Sequence, residues 1–269
     1  MSAQIMEIKA LTWRLFLQSK RRPIVLAAGL IQPFIWLLLF STVFKNSPMA
    51  TLHGADSYLA FITPGTLVFT AFTAALNGGV PILFDREQGF LDRLLVAPLC
   101  SRLSIVWASG FHIFIMTMLQ CVVILLLTAV MGVSFQGGFM GLLVLLLSIG
   151  LVSLIFTTLS LLLAFLLRYH FELISLVMIV SLPMMFISTA FAPMEFMPTW
   201  LQYFVSLNPI SMAVEAMRAV FFNADWTWSG AVFDSPIAGF SVGGCLGILA
   251  LVNLAVTLLA RSVFSKKLR

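Results

Sequence analysis

Residues 139 to 167 read FMGLLVLLLSIGLVSLIFTTLSLLLAFLL without one charged side chain. A helix crossing the roughly 30 Å hydrocarbon core of a bilayer needs about 20 such residues. Five further runs, near 25–44, 58–83, 103–131, 173–191 and 237–260, have comparable length and equally lack Lys, Arg, Asp and Glu. Such runs fix the solvent, because in lipid every backbone N–H and C=O must find its partner inside the protein. A closed β-barrel also meets that demand, but barrel strands alternate apolar and polar residues over roughly ten positions. These runs are continuous, so the spans are expected to be helices. The remaining composition agrees: 61% of residues are hydrophobic and only 9% charged, against about 25% charged in soluble domains. The expectation is an all-α integral membrane protein of six transmembrane helices, forming one domain over residues 1–269, with no linker or repeat to divide it.

Basic residues near span ends resist translocation and so report orientation. Thirteen of the fifteen Lys and Arg fall before the first span, between spans two and three, between four and five, or in the tail. Lys45 and Arg218 alone fall in the other connections, while the ten acids divide evenly. Both termini are therefore expected in the cytoplasm. The formal charge of +5 is accounted for by the anionic inner leaflet, and nucleic acid is not an expected partner. Cys100, Cys121 and Cys245 lie far apart with no metal or disulfide spacing. The first apolar run follows a 22-residue head and lacks a small-x-small cleavage site, so it is expected to remain as a span. In that head, Ile5, Ile8, Leu11 and Leu15 recur at helical spacing, with Glu7, Lys9 and Arg14 off the stripe. An amphipathic helix at the membrane interface is expected there.

Between the second and third runs stands FDREQGFLDRLLVAPLCSR, residues 84–102. A helix over 84–96 gathers Phe84, Leu91, Leu94 and Leu95 on one side and leaves Asp85, Arg86, Glu87, Asp92 and Arg93 around the rest, with Gly89 interrupting and Pro98 ending it. None of the five charges has an opposite charge three or four residues away, so their expected partners are water, lipid or another protein. Two readings stand: a solvated loop, or a short helix lying flat with its charges outward as a docking surface.

Residues 192–236 are too apolar for an ordinary loop yet are cut by Pro193, Pro198 and Pro209. Asn208 as N-cap and Pro209 in the first turn predict a helix over 209–222. At about 21 Å it is too short to span. Ser211, Glu215 and Arg218 share one stripe of it, the last two close enough to pair. A re-entrant helical hairpin is expected, with the pair acting either as a brace or as a gate. Inside the spans the polar residues are Gln32, Asn77, His112, Gln120 and Asn253. Without a midplane carboxylate, a proton- or sodium-coupled transporter is disfavoured, and His112 reads as a hydrogen-bonded helix contact. Met178, Met184 and Met185 around Pro183 fit either core packing or an adaptable substrate path. No HExxH or GxxxxGK[ST] occurs.

Three segments carry a resemblance. DREQGFLDRLLVAPLCSR, LNPISMAVEAMRAVFF and WRLFLQSKRRPIVLAAGLIQPFIWLLLF, the last with a basic cluster and Gln32-Pro33 inside the first span, resemble in content and order the motifs of ABC-2 type permeases, nearest to the drug-exporter branch. The resemblance implies that residues 84–98 are a cytoplasmic coupling helix seated on a separate ATPase subunit. Asp85, Arg86, Glu87, Gly89, Asp92 and Arg93 would then form the ATPase interface, with Phe84, Leu91, Leu94 and Leu95 anchoring it. It further implies a homodimer joined by two ATPase copies, and Asn208, Pro209, Glu215 and Arg218 in the re-entrant hairpin. The chain itself would bind no cofactor, ATP and Mg residing on the partner. The expected place is the bacterial inner membrane, and the expected cargo an amphiphilic, lipid-linked or drug-like molecule moved outward. Two rivals remain: a secondary transporter or channel, and a membrane scaffold that moves nothing.

Overall fold

The computed structural model describes residues 3–45, 57–96 and 100–267. Helix α1 (Ala3–Lys20) leads through Arg22 into α2 (Pro23–Val43), whose first residue is a proline with no N–H to leave unpaired. After residue 57 come α3 (Tyr58–Asn77), α4 (Val80–Glu87) and α5 (Phe90–Val96), then α6 (Leu103–Val130), α7 (Gly138–Leu166) and α8 (His170–Phe186). A 3₁₀ turn at Met194–Phe196 precedes α9 (Thr199–Leu207) and α10 (Pro209–Phe222). Strands β1 (Ala231–Asp234) and β2 (Gly239–Ser241) lead into α11 (Val242–Lys267). Among the described residues four stretches, Tyr58–Glu87, Leu103–Val130, Gly138–Leu166 and Val242–Phe264, are long and apolar enough to cross a membrane, and Ala27–Val43 and His170–Phe186 are shorter apolar helices. This is the helical architecture expected of a membrane protein.

Helix α3 is the centre, packed by α2, α6, α7, α8 and α10. Its sequence suits that place. Ala60, Gly65, Ala71 and Ala75 allow close approach of neighbouring helices. The hydroxyls of Thr63, Thr66, Thr70 and Thr73 donate to the carbonyls of Leu59, Ile62, Thr66 and Phe69 at 2.7–3.0 Å, so none needs water. Ser57 caps the start, its Oγ accepting from the Ala60 N–H.

The expected second span, 58–83, is broken at Gly78–Gly79. A Cβ at Gly79 would stand 2.6 Å from the Ser160 carbonyl oxygen, and one at Gly78 equally close to the Ile113 side chain. The junction is held by Ser160, whose Oγ accepts from the Gly79 N–H and donates to the Leu76 carbonyl. A single helix over 84–96 is also corrected: Gly89 takes φ +68°, a left-handed turn that glycine adopts without strain, and Phe84 belongs to the preceding helix. Pro98 and the side chains of Asp92 and Leu95 lie outside the described residues.

The purely α reading needs one correction. β1 and β2 form a two-stranded antiparallel hairpin, Phe233 opposite Phe240. Ser235 closes the turn, its Oγ donating to the Ala238 carbonyl at 2.8 Å. The last span therefore begins at Val242 and not at 237. Helix α1 is also no simple surface float. It packs along α6, burying Leu15 and Thr12 while Ile5 stays exposed.

Contacts between helix ends define two ends of the bundle. One gathers α1, α4, α5, the starts of α6 and α8 and the ends of α7 and α11, where Phe165 meets Phe264. The other gathers α9, α10 and the connection between α6 and α7, where the Gln136 N–H donates to the Phe221 carbonyl.

Candidate functional site

The α4–α5 elbow holds most of the charges singled out in the sequence, and the expectation that water, lipid or another protein would pair them is corrected for three of the five. Asp85 is buried and ion-paired with Arg14 of α1. Arg86 Nη1 donates to the Leu167 carbonyl at 2.8 Å, at the end of α7. Glu87 accepts from the His170 backbone N–H at 2.7 Å and meets His170 Nδ1 at the same distance. His170 in turn stacks on Phe84, ring centroids 4.1 Å apart. Local spacing could not show these partners, because they are 71 to 83 residues away.

Arg14 makes one further contact that matters for the elbow. Its guanidinium lies 3.9 Å from the centre of the Phe90 ring, so one α1 side chain grips both arms across the Gly89 turn. Leu91 is buried and Leu94 packs on the core, whereas Arg93 is exposed. The elbow is thus clamped to α1, α7 and α8 on one side and offers Arg93 on the other.

Glu7, which the sequence showed only as a charge off the apolar stripe of α1, completes this end. Its carboxylate accepts from the Cys100 N–H at 2.6 Å and from Ser104 Oγ at 3.2 Å. It thereby caps the start of α6, where a negative charge suits the helix dipole. The Cys100 N–H hydrogen bond, above all, holds the Glu7 carboxyl below its usual value, against an opposing effect of desolvation. A carboxyl lowered on folding contributes stability above its unfolded value and loses it as pH falls through the folded one. The α1–α6 contact is therefore expected to hold through neutral pH and to loosen only on acidification below the ordinary carboxylate range. Glu7→Gln should speed amide exchange across residues 3–20 at neutral pH and abolish that acid transition in tryptophan emission.

At the opposite end, α10 begins at Pro209 with the Asn208 Oδ1 accepting from the Ile210 N–H at 2.9 Å. Asn208 Nδ2 also donates to the Met184 and Ile187 carbonyls that close α8, so one side chain joins two helix ends. Arg218 Nη1 donates to Glu215 Oε1 at 2.6 Å, and Nη2 to the Thr189 carbonyl at 2.9 Å. Both side chains are buried among apolar groups. Met178, Met184 and Met185 do not converge: Met178 is 69% exposed, Met185 is 1% exposed, and Met184 packs partly on the core. His112 makes the helix contact its sequence suggested, its Nε2 lying 2.9 Å from Ser19 Oγ.

Comparison with known proteins places this arrangement. Residues 6–222 match the model of the ABC-2 type transporter family. The chain is 41% identical to the transport permease ycf38 of Cyanophora paradoxa, over 96% of its own length and 89% of that protein's. It is equally similar to ycf38 of Porphyra purpurea, over 98% and 90%. A daunorubicin resistance ABC transporter permease of Streptomyces coeruleorubidus is 28% identical over 80% of this chain and 75% of its own. A family match from α1 through the end of α10, joined to two relatives above 40% identity over nearly the whole length, is decisive: the chain belongs to the ABC-2 type transporter family.

Proposed function

We propose that this chain is the membrane subunit of an ATP-driven exporter, with six spans, both termini in the cytoplasm and two copies served by two separate ATPase subunits in a bacterial inner membrane. Family membership supports a transport permease that works with an ABC ATPase. The observation that carries the finer reading is the clamped elbow. Arg14, bound to Asp85 and lying on Phe90, makes α4, α5 and α1 move as one piece. Glu87 with His170 and Arg86 with Leu167 tie that piece to α8 and α7. A push on α5 therefore reaches the spans rather than bending the loop. The charge asymmetry supports a cytoplasmic position for this end, where an ATPase can reach it. The drug-resistance role named for the relative at 28% identity favours an amphiphilic cargo, and the α9–α10 re-entrant hairpin, braced by Glu215 and Arg218, forms the outer rim of the path.

Arg93 supplies the test, because its side chain is exposed and its charge is the handle offered to the partner. Arg93→Glu should leave membrane insertion and helix content unchanged while cutting copurification with the ATPase and ATP-dependent export several-fold, as charge reversal at an interface does. Full export by this variant, or labelling of Arg93→Cys from the external face, would overturn the reading. Transport by the chain without ATP would favour a channel or secondary carrier.

A further inference from the structure

A cavity of about 520 Å³ opens at the elbow end, between α1, α2, α3 and α6, with Phe84 of α4 and Ile174 of α8 closing it. That volume falls within the roughly 300–1,000 Å³ of small-molecule sites. Its wall is divided in character. Gln18, Gln32, Asn77 and Gln120 bring amides, Ser19, Thr73 and Thr117 bring hydroxyls, His112 brings an imidazole paired with Ser19, and the remainder is largely apolar. Among the described residues no Asp or Glu takes part, and Arg22, exposed, is the single Arg or Lys in the wall. Two of these polar groups are unusual. Thr117 Oγ1 and Gln120 Oε1 are shut off from bulk water and have no hydrogen-bond partner among the described residues. Thr117 is completely buried. Buried polar groups are nearly always satisfied, and a polar cavity beside such groups is where a ligand's donors belong. Gly29 lets the Gln120 amide lie close against α2: a Cβ there would meet Gln120 Nε2 at 3.0 Å.

We propose that this cavity binds one amphiphile with an uncharged, hydroxyl-rich headgroup, of the glycosyl diacylglycerol kind. Amides and hydroxyls that both donate and accept match the alternating donors and acceptors of a sugar, and the apolar part of the wall suits the start of its lipid chains. The charge inventory argues against an anionic headgroup in the depth of the site, since the cation sits exposed. The site lies within one copy of the chain and needs neither ATP nor a partner, so it stands or falls independently of the export reading.

The purified chain in phosphatidylcholine nanodiscs is exposed to a photoactivatable glucosyl diacylglycerol, and labelled residues are mapped by mass spectrometry. Labelling should concentrate on 28–32, 73–77 and 113–120, and should be displaced by unlabelled glucosyl diacylglycerol but not by phosphatidylglycerol. The double variant Thr117→Val, Gln120→Leu should lose about tenfold in labelling, the effect of about two lost hydrogen bonds. Its fold should be intact, because the groups removed bond to nothing else described. Arg22→Gln should label as wild type. Unchanged labelling in the double variant, equal displacement by phosphatidylglycerol, or labelling spread evenly over lipid-facing residues would each overturn the proposal.

Discussion

Arg218→Ala is expected to destabilise the protein by roughly 3–5 kcal/mol, the range for removing one member of a buried ion pair. Arg218 is 4% exposed and Glu215 8%. The guanidinium touches Glu215, the Thr189 carbonyl and, at 4.0 Å, the face of the Phe61 ring. Truncation strands the Glu215 carboxylate in an apolar surround and opens the Thr189 carbonyl, and each loss carries a desolvation cost. The contrasting variant is Glu215→Leu with Arg218→Met. Removing both charges removes the cost of burying them, so most of the stability should return. Swapping the two charges should rescue less, because a carboxylate at 218 would face the Thr189 carbonyl, acceptor against acceptor. The check is thermal unfolding of the detergent-solubilised chain, followed by the loss of its monodisperse peak. If the alanine variant melts with wild type, the pair is solvated and the burial argument fails. If the apolar pair folds and the reconstituted exporter still transports, the ion pair is a brace; folding without transport makes it a gate.

Local signals and long-range contacts were unequally legible in the sequence. The bounds of α10 followed from Asn208 and Pro209, whose effects act within one turn, and Gly89 announced a break because only its own backbone is involved. The span regions were legible because hydropathy over about 20 residues needs no knowledge of neighbours. What stayed hidden depends on packing. Asp85, Arg86 and Glu87 looked unpaired until the helix ends assembled around them, and Glu7 gave no sign that it would cap α6. Phe240 read as part of a span because an apolar residue suits a strand and a span equally. The three methionines shared a sequence neighbourhood around Pro183 but no cavity, since successive helical positions point in different directions.

A single methyl group at Gly65 tests one of the tightest junctions among the described residues. A Cβ there would stand 2.2 Å from the Ala190 carbonyl oxygen and 2.7 Å from its Cα. These are backbone atoms, so no side-chain rotation relieves the clash, and α3 must move away from the segment after α8. That segment is also fixed by the Tyr58 hydroxyl, which donates to the Phe191 carbonyl at 2.8 Å. Gly65→Ala is therefore expected at or beyond the upper end of the roughly 1–3 kcal/mol typical of overpacking. Gly247→Ala is the control, a helical position where an added Cβ meets nothing within 4 Å; there alanine should be neutral or stabilise by up to about 1 kcal/mol. The clash has a second consequence. Thr189, next to Ala190, supplies the carbonyl that holds Arg218, so displacing the segment pulls that acceptor from the buried pair. Gly65→Ala and Arg218→Met should then be non-additive, the second variant costing less once the first has moved its partner. A thermal double-mutant cycle measures this directly. Additive costs would separate the two contacts, and a Gly65→Ala protein as stable as wild type would remove the close approach on which both depend.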